Sequence, residues 1–295
     1  MKYYLGIDGG GTVTTVAVAD ENGKIIYKAI GKSINFYGVG MPQARKNLAE
    51  VMEKVKTDCS VNEFYSAFIG CSALDGKAEE TELTSLCNGI INAEKIGMNS
   101  DVYVALKASG GNCVAICGTG SMIIGEKANG DLVIKGGWGH LLGDEGSGYA
   151  IAIEGLKKAC SLWDKKEEAP LVSRALEHFG ESDLRRIIPK VYGERCNKDF
   201  VASFAKEVSL CADNGCSDSK AIIEKQAQSF AHTFASLYKE MDVITELSLY
   251  GGVFCNNQLF LNIFTQEIKK INSDIKVTLL STAPEEGAIK VAMEQ

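Results

Sequence analysis

The sequence predicts an α/β protein with two similar halves, and three observations support this prediction. Short strand-forming runs alternate with stretches that have helical apolar periodicity. The combination of a glycine turn and a later hairpin signal occurs twice in the chain. Thr12 follows the first glycine turn and Thr119 lies in the second, 107 positions later. Asn22-Gly23 and Asn129-Gly130 are also 107 positions apart. The matched order of strand, glycine turn, strand and Asn-Gly turn indicates an internal duplication of a three-stranded unit.

The first half alternates predicted strands and helices. Asn22-Gly23 is typical of a two-residue hairpin, and Pro42 is a favourable residue in the first turn of a helix. Ala44, Leu48 and Val51 lie on one apolar face of that helix. The predicted strands are 3–7, 13–19, 24–29 and 64–72, and two further helices are predicted over 79–95 and 102–108.

The strand pattern restarts after residue 110 with NCVAICGTGSMIIGEKANGDLVIKGG. From Glu145 to about Thr245 the pattern is mainly helical, and ELSLYGGVF then predicts a strand that ends at Gly251-Gly252. A helix over 257–271, a strand over 275–280 and a helix over 285–293 follow. We therefore predict domains over 1–108 and 109–284, with the final helix, 285–295, packed back on the first domain.

Composition limits the partners and the location. The 295 residues carry 31 Lys and Arg against 38 Asp and Glu, a net charge of −7, which argues against nucleic acid or an anionic membrane as the main partner. MKYYLGID has no signal-peptide core, and no segment has the length of an apolar membrane span, so we expect a cytoplasmic protein.

The ten cysteines show no C-x-x-C pair. Cys113 and Cys117 are interpreted as small buried apolar residues, and a metal or cluster at Cys211 and Cys216 is left open.

The two glycine turns predict phosphate binding. Turns of this kind expose backbone N–H groups to an anion, and the hydroxyl of Thr12 or Thr119 can donate to the same phosphate. One such turn alone would be interpreted as a tight hairpin, but two duplicated turns facing each other across a cleft can hold a polyphosphate. No G-x-x-x-x-G-K-[ST] or G-x-G-x-x-G motif is present. Asp8, just before the first turn, is either a turn residue or a carboxylate that holds Mg²⁺ through water.

The stretch GGWGHLLGDEGSGYAIAIEG, from Gly136 to Gly155, surrounds an aromatic side chain and carboxylates with glycines. Trp138 beside Asp144 suits a sugar, which has an apolar ring face and many hydroxyls. The structural alternative makes Asp144 the N-cap of a helix that starts at Glu145–Gly146, and His140 a core histidine. Similarly, capping is the simple interpretation of Ser100 and Asp101 at a helix start.

Several of these motifs resemble one known family. Asp8-Gly-Gly-Gly-Thr12, Gly118-Thr-Gly-Ser121, Gly137-Trp-Gly-His-Leu-Leu-Gly-Asp-Glu-Gly-Ser147 and Gly251-Gly252 occur in the order found in the N-acetylglucosamine kinases. These kinases belong to a family with the ATPase activators of benzoyl-CoA reductase and 2-hydroxyacyl-CoA dehydratase. The resemblance implies the fold of actin, Hsp70 and sugar kinases, with two RNase H-like domains flanking an ATP cleft. The cysteine-rich zinc motif of repressor-type sugar kinases is absent, which excludes that neighbouring family.

The resemblance also implies roles for individual residues. Asp101 corresponds to the catalytic base, which takes the proton from the sugar hydroxyl. The first phosphate turn corresponds to Gly9, Gly10, Gly11 and Thr12, and the second to Gly118, Thr119 and Gly120. The residues implied to contact the sugar are Asn35, Gly137, Trp138, Gly139 and Asp144, and those implied to flank adenine and ribose are Gly215, Gly251 and Gly252.

We therefore expect a kinase that uses ATP and Mg²⁺ to phosphorylate the 6-hydroxyl of an amino sugar, in amino sugar metabolism or cell wall recycling. N-acetylglucosamine is the first expected substrate and N-acetylmuramic acid a second. We expect the protein to form a homodimer and to bind a small-molecule sugar as its substrate. We expect no nucleic acid or membrane partner. Two alternatives stay open at this point: an ATPase activator with a cysteine-bound iron–sulfur cluster, and a sugar- or nucleotide-sensing regulator without turnover.

Overall fold

The fold is described from a computed structural model, which covers residues 1–74, 77–193 and 197–295. The chain divides into two compact units. The first unit contains Met1–Val114 together with Leu280–Gln295, and the second contains Ala115–Leu279. The second unit is therefore a single continuous segment, whereas the first is assembled from both ends of the chain.

The described residues form ten strands and thirteen α-helices, together with a short π-helix over Val55–Cys59 and a 3₁₀ helix over Leu184–Ile187. The strands are β1 (Tyr4–Gly9), β2 (Val13–Ala19), β3 (Ile25–Lys32), β4 (Phe64–Cys71), β5 (Ala93–Asn99), β6 (Cys113–Cys117), β7 (Ser121–Glu126), β8 (Leu132–Gly136), β9 (Glu246–Tyr250) and β10 (Lys276–Leu279). The helices are α1 (Phe36–Val39), α2 (Met41–Lys54), α3 (Glu80–Cys87), α4 (Asp101–Ser109), α5 (Gly148–Asp164), α6 (Pro170–Phe179), α7 (Ile188–Tyr192), α8 (Lys198–Ser203), α9 (Ala205–Asp213), α10 (Ser217–Tyr238), α11 (Gly252–Asn256), α12 (Gln258–Ile271) and α13 (Pro284–Glu294).

Each unit contains one five-stranded sheet, and the two sheets have equivalent strand orders. The first sheet runs β3-β2-β1-β4-β5, and the second runs β8-β7-β6-β9-β10. In the first sheet β1, β2 and β3 pair antiparallel, whereas β4 pairs parallel with both β1 and β5. The predicted α/β class and the predicted internal repeat of a three-stranded unit are therefore confirmed.

The repeated hairpins correspond residue by residue, but their loops differ from the prediction. Asp20 N donates to Lys24 O at 3.0 Å, and the equivalent Lys127 N donates to Asp131 O at 2.9 Å. Three residues lie between the two members of each pair, and the last of the three is Gly23 or Gly130, with φ values of +78° and +88°. This is the three-residue loop in which a turn is followed by a left-handed glycine, so the predicted two-residue hairpin is wrong.

The helix predicted over 79–95 is also wrong in its second half. A capping box between Glu79 and Glu82 begins α3, and the helix ends at Cys87, just before Gly89 at φ +74°. The chain then forms β5, which pairs parallel with β4 at the edge of the sheet. The exposed Glu94 and Lys95 of this edge strand break the apolar pattern that identifies a strand, so tertiary pairing decides its conformation.

Both faces of the first sheet are covered by helices. On one face, Leu5, Ile7 and Val18 belong to a core shared with residues of α2 and α3. On the other face, Tyr4 and Phe68 pack with residues of α4 and α13. Helix α13 approaches β1 closely because Gly6 has no side chain, since a Cβ there would collide with the carbonyl oxygen of Glu285.

The second unit is mainly helical outside its sheet. Four of its fully buried phenylalanines form an aromatic core contributed by α10, α11 and α12, comprising Phe230, Phe254, Phe260 and Phe264. This helical part agrees with the pattern predicted between residues 145 and 245. Across the part of the chain that the structure describes, no helix is long and apolar enough to span a membrane.

Candidate functional site

The first glycine turn connects β1 to β2 and is held at its base by hydrogen bonds. Ser72 N donates to Gly9 O at 2.9 Å, and Ser33 Oγ donates to Gly10 O at 3.0 Å. A Cβ at Gly9 would lie 2.6 Å from Ile34 Cδ1 and 2.7 Å from the carbonyl oxygen of Gly70, so this position requires glycine. Beyond this base, Gly11 and Thr12 are exposed, which leaves the tip of the turn accessible to an anion.

Asp8 and Asp101 lie at the same edge of the first sheet. Asp8 aligns with Gly70 of β4, which in turn aligns with Asn99 of β5. Because these three strands are parallel, their carboxyl ends meet at one edge, where ligands bind in open α/β sheets. Helix α4 begins there with Ser100 as its N-cap, whose Oγ accepts from Tyr103 N at 3.3 Å. Ser100 is the N-cap, and Asp101 is the first residue of the helix, so the capping that the sequence predicted at this helix start is performed by Ser100.

The carboxyl groups in this region have raised pKa values. Burial raises the pKa of Asp101 to about 6, although hydrogen bonds from the backbone N–H groups of Val102 and Asp101 act in the opposite direction. Burial, followed by the charges of Asp101 and Glu285, raises the pKa of Asp8 to about 8. Asp101 can therefore accept a proton near neutral pH.

Asp8 is also suited to a divalent cation. Its carboxyl group experiences the negative charges of two neighbouring carboxylates, and a cation would relieve that repulsion. Carboxylate oxygens are among the ligands that Mg²⁺ uses, often together with retained waters. The donor chemistry at Asp8 therefore fits the Mg²⁺ ion that the resemblance implies.

Asn35 is connected to the first glycine turn through Ser72. Its Oδ1 accepts from Gly38 N at 2.9 Å as the N-cap of α1, and its Nδ2 donates to Ser72 Oγ at 3.1 Å. Ser72 N in turn bonds to Gly9 O. The side chain of Asn35 is thus oriented from both ends of its amide, close to the edge that carries Asp8. The sequence analysis did not single out Ser72.

The second glycine turn lies at the N-terminus of α5. Gly118 N donates to Gly120 O at 2.9 Å, and the first residue of α5, Gly148, donates its N–H to Gly118 O at 2.8 Å. Ser147 caps this helix, with its Oγ accepting from Ala150 N at 3.1 Å. A Cβ at Gly118 would meet no atom within 4 Å. The turn therefore presents open backbone next to a helix end, whose dipole favours anions.

Asp144 lies against this second turn and does not cap a helix. Because α5 starts at Gly148 with Ser147 as its cap, the capping alternative for Asp144 is wrong. Its backbone has φ +63°, an uncommon conformation for a residue with a side chain, and the residue is only 3% exposed. Its Oδ2 lies 2.9 Å from the position that a Cβ on Gly120 would occupy, so the carboxylate packs directly on the turn.

The remaining predicted sugar residues belong to the loop between β8 and α5. Gly137 and Gly139 have φ values of +74° and +81°, so the backbone of this loop depends on glycine. Trp138 is 74% exposed and its ring is therefore available to a ligand. His140 is only partly buried, with its ring centroid 4.6 Å from that of Tyr149 in an edge-on contact.

A cavity of about 640 Å³ in the second unit adjoins the second turn. Gly118, Thr119 and Gly252 line it together with residues of α5, α8 and α9. Gly251 lies at the N-terminus of α11 with φ +112°, where a Cβ would collide with Cys117 O. Gly215, by contrast, lies between α9 and α10 and is not among the residues that line the cavity.

The sequence analysis missed the polar wall of this cavity. Asn257 Nδ2 donates to Ser209 Oγ at 2.8 Å, and Ser209 Oγ donates to Ala205 O at 2.9 Å. Both side chains line the cavity together with Asp213. No local motif marks these residues, because Ser209 and Asp213 lie on α9 whereas Asn257 is the N-cap of α12, far along the sequence.

The cysteine pair left open by the sequence analysis consists of free thiols. Cys216 N donates to Cys211 O at 2.9 Å where the chain leaves α9. Within the described ranges 1–74, 77–193 and 197–295, no group of three or more His, Cys, Asp or Glu residues is placed to hold a metal ion.

Comparison with solved structures identifies the class of fold. A putative N-acetylglucosamine kinase from Chromobacterium violaceum superposes with a TM-score of 0.79 at 16% identity, covering 99% of both chains. A ROK family glucokinase from Streptomyces griseus, solved with glucose and AMPPNP, gives a TM-score of 0.62 at 16% identity and covers 99% of this chain and 100% of that one. The protein therefore has the fold of the sugar kinases and actin-like ATPases, as the motifs predicted.

Sequence comparison then identifies the family. The profile of the BadF/BadG/BcrA/BcrD ATPase family matches residues 5–292, and the chain belongs to this family. An N-acetylmuramic acid/N-acetylglucosamine kinase from Clostridium acetobutylicum is 26% identical over 100% of this chain and 99% of its own length. An N-acetyl-D-glucosamine kinase from Dictyostelium discoideum is 31% identical over 56% of each chain. The family predicted from the motifs is confirmed.

Proposed function

We propose that this protein is an ATP-dependent amino sugar kinase. In this proposal it transfers the γ-phosphoryl group to the 6-hydroxyl of N-acetylglucosamine, and it also accepts N-acetylmuramic acid. The observation that carries the proposal is Asp101, a carboxylate with a pKa of about 6 at the edge of the sheet that also holds the first glycine turn. The full-length similarity to a kinase named for both sugars supports the choice of substrates.

Asp101 would act as the general base in this reaction. Phosphoryl transfer requires mainly positioning and charge stabilisation from the protein, and the sugar hydroxyl must lose its proton as its oxygen attacks the phosphorus. A carboxylate with a pKa near the working pH is suited to take this proton, a contribution of about 10²–10⁴-fold. Asn35 and Asp144 would each hydrogen-bond the sugar, and Trp138 would offer a ring face to it.

The nucleotide would use the glycine turns and the cavity of the second unit. The cavity volume of about 640 Å³ lies within the range of about 300–1,000 Å³ that is common for small-molecule sites. The open backbone at Gly118 would allow a phosphate to approach, and Thr119 would donate its hydroxyl. When bound through water at Asp8, Mg²⁺ would neutralise part of the phosphate charge.

The deciding experiment is a coupled assay of ADP release with N-acetylglucosamine, N-acetylmuramic acid, N-acetylmannosamine, glucosamine and glucose. We expect the highest kcat/KM for N-acetylglucosamine and a product that NMR identifies as the 6-phosphate. A site built around the acetamido group rejects analogues without it, because its buried polar partners are left unpaired. A preference for glucose or phosphate on the anomeric carbon would contradict the proposal.

The same preparation tests the two alternatives and the assembly. ADP release that no sugar stimulates, with intact ATP and sugar binding, would favour a sensor, and absorbance near 400 nm would favour an iron–sulfur activator. The expected homodimer remains part of the proposal, and sedimentation velocity is its test. The expected cytoplasmic location is tested by fractionating cells that produce the protein.

A further inference from the structure

Lys198 brings a positive charge to the second glycine turn. It is the first residue of α8, and its Nζ lies 3.5 Å from Asp144 Oδ2. The carboxylate side chain is 4% exposed, whereas the lysine side chain is 38% exposed. Because Asp144 packs against Gly120, the ammonium group lies near the backbone proposed to bind phosphate. Neither the motifs nor the role implied for Asp144 assigns a function to this lysine.

Contacts at Asn197 and Phe200 place helix α8, and with it the backbone of Lys198. The helix is capped by Asn197, whose Oδ1 accepts from Phe200 N at 3.2 Å. The imidazole ring of His178 stacks on Phe200 with centroids 4.8 Å apart, and its Nε2 lies 3.2 Å from Phe200 O. A lysine on a fixed backbone can still move its ammonium group by several ångströms, because its four-carbon stem is flexible.

The same helix forms part of the nucleotide cavity. Asp199 and Ser203 of α8 line that cavity together with Gly118 and Thr119. Lys198 therefore lies where the cavity wall meets the carboxylate beside the turn. The positive charge of Lys198 also affects the neighbouring loop. The pKa of His140 is lowered first by burial and then by this charge.

An ion pair in this position has an electrostatic consequence for an anionic ligand. Asp144 places a negative charge beside the turn, and a phosphate bound there would be repelled by it. The interaction between two charges a few ångströms apart is stronger near a protein surface than in bulk water, because the effective dielectric constant is lower there. A cation able to contact both groups removes that penalty. The 3.5 Å separation exceeds the roughly 2.7–2.9 Å of a short charge-assisted hydrogen bond, and the ammonium group has three N–H donors, so it keeps hydrogen-bonding capacity for a second anion.

We propose that Lys198 binds a β- or γ-phosphate oxygen of the nucleotide held at the Gly118–Gly120 turn while remaining beside Asp144, so that one ammonium group faces both anions. The proposal rests on the proposed function, because it requires a nucleotide at this turn. Lys198 would thus be a binding residue for the transferred end of ATP.

The test compares nucleotides of different length on variants of one residue. Calorimetric titration of ATP, ADP and AMP would be made with the wild-type chain, Lys198→Met and Lys198→Arg. We expect Lys198→Met to weaken ATP binding at least tenfold, as for loss of a hydrogen bond between charged groups. AMP affinity should stay within twofold, because AMP lacks the outer phosphates, and Lys198→Arg should retain most of the ATP affinity because it keeps the charge.

The matched control is Lys157→Met, which removes an exposed lysine that pairs with Glu154 on α5 and should leave all three affinities unchanged. Unchanged ATP affinity in Lys198→Met would overturn the proposal, and so would equal losses for ATP and AMP, since those indicate a general change in the cavity.

Sugar-stimulated ADP release by the wild-type chain is measured separately. If it occurs while Lys198→Met binds ATP normally, the kinase proposal stands and the Lys198 proposal fails. If the wild-type chain binds no ATP, both fail.

Discussion

Gly70 and Asp101 approach each other so closely that a Cβ on Gly70 would lie 3.2 Å from the Cα of Asp101. Gly70 belongs to β4 and Asp101 begins α4. The absence of a side chain on the strand thus allows the first turn of the helix to pack directly on it. The position of the proposed base depends on a residue that carries no functional group.

The first prediction concerns this contact. Gly70→Ala places its methyl group against Val104, whose Cγ2 would lie 2.5 Å away, and overpacking of this kind costs about 1–3 kcal/mol. We expect a lower melting temperature and a reduced kcat, since the start of α4 must move. Val104→Ala in the same chain should recover stability relative to Gly70→Ala, while kcat stays low because the contact with Asp101 remains. Normal kcat in folded Gly70→Ala would show that this packing does not position the base.

Asp101→Asn is predicted to abolish sugar phosphorylation without loss of ATP or sugar binding. The variant keeps the size of the side chain and one hydrogen-bonding oxygen but cannot accept the proton, so kcat should fall at least about 10²-fold. Steady-state kinetics and calorimetric binding separate the two effects. Asp218→Asn, which removes an exposed carboxylate from the first turn of α10, is the control. A variant at Asp101 that retains more than about a tenth of the wild-type kcat would exclude it as the base.

The pH profile follows from the raised pKa of Asp101. Its carboxyl group must be ionised to accept a proton, and its pKa is raised to about 6. We therefore expect kcat/KM for the sugar to increase with pH below about 6 and to level off above it. ATP binding measured over the same range separates protonation of the base from loss of nucleotide. A kcat/KM that is constant between pH 5 and 7 would contradict this assignment.

The glycine turns are tested by adding side chains of increasing size. A Cβ at Gly118 meets no protein atom within 4 Å, so Gly118→Ala and Gly118→Val should fold with nearly normal melting temperatures. ATP affinity should fall progressively, because the side chain occupies the space through which phosphate approaches the backbone. Gly10→Val should also weaken ATP binding. Normal ATP affinity in folded Gly118→Val and Gly10→Val would exclude phosphate binding at both turns.

Asp144→Asn is predicted to raise the KM for sugar about tenfold, because one carboxylate oxygen that would accept hydrogen bonds from the hydroxyls is replaced by an NH₂ donor. Asparagine is the suitable replacement, since it tolerates the left-handed backbone found at this position. The melting temperature should therefore remain close to that of the wild type. If instead only the KM for ATP changed, Asp144 would belong to the nucleotide site and not to the sugar site.

Much of the fold and part of the site could be predicted because they depend on local signals. Gly23 and Gly130 mark the hairpins of the repeat through their left-handed backbone, and equivalent sheet orders confirmed that repeat. Strand β5 could not be predicted, because Glu94 and Lys95 interrupt its apolar pattern and only its pairing with β4 makes it a strand. The three-residue length of the hairpin loops also required the backbone hydrogen bonds.

The sequence by itself determined the α/β class, the duplication, the two glycine turns and the family, because glycine positions and strand patterns are properties of short segments. The tertiary structure decided which side chains meet. It showed that Ser147 caps α5, which leaves Asp144 against Gly120, and that Lys198, 54 residues later, lies within reach of the same carboxylate. Contacts of this kind depend on how helices and turns pack, and no spacing within a local motif encodes them.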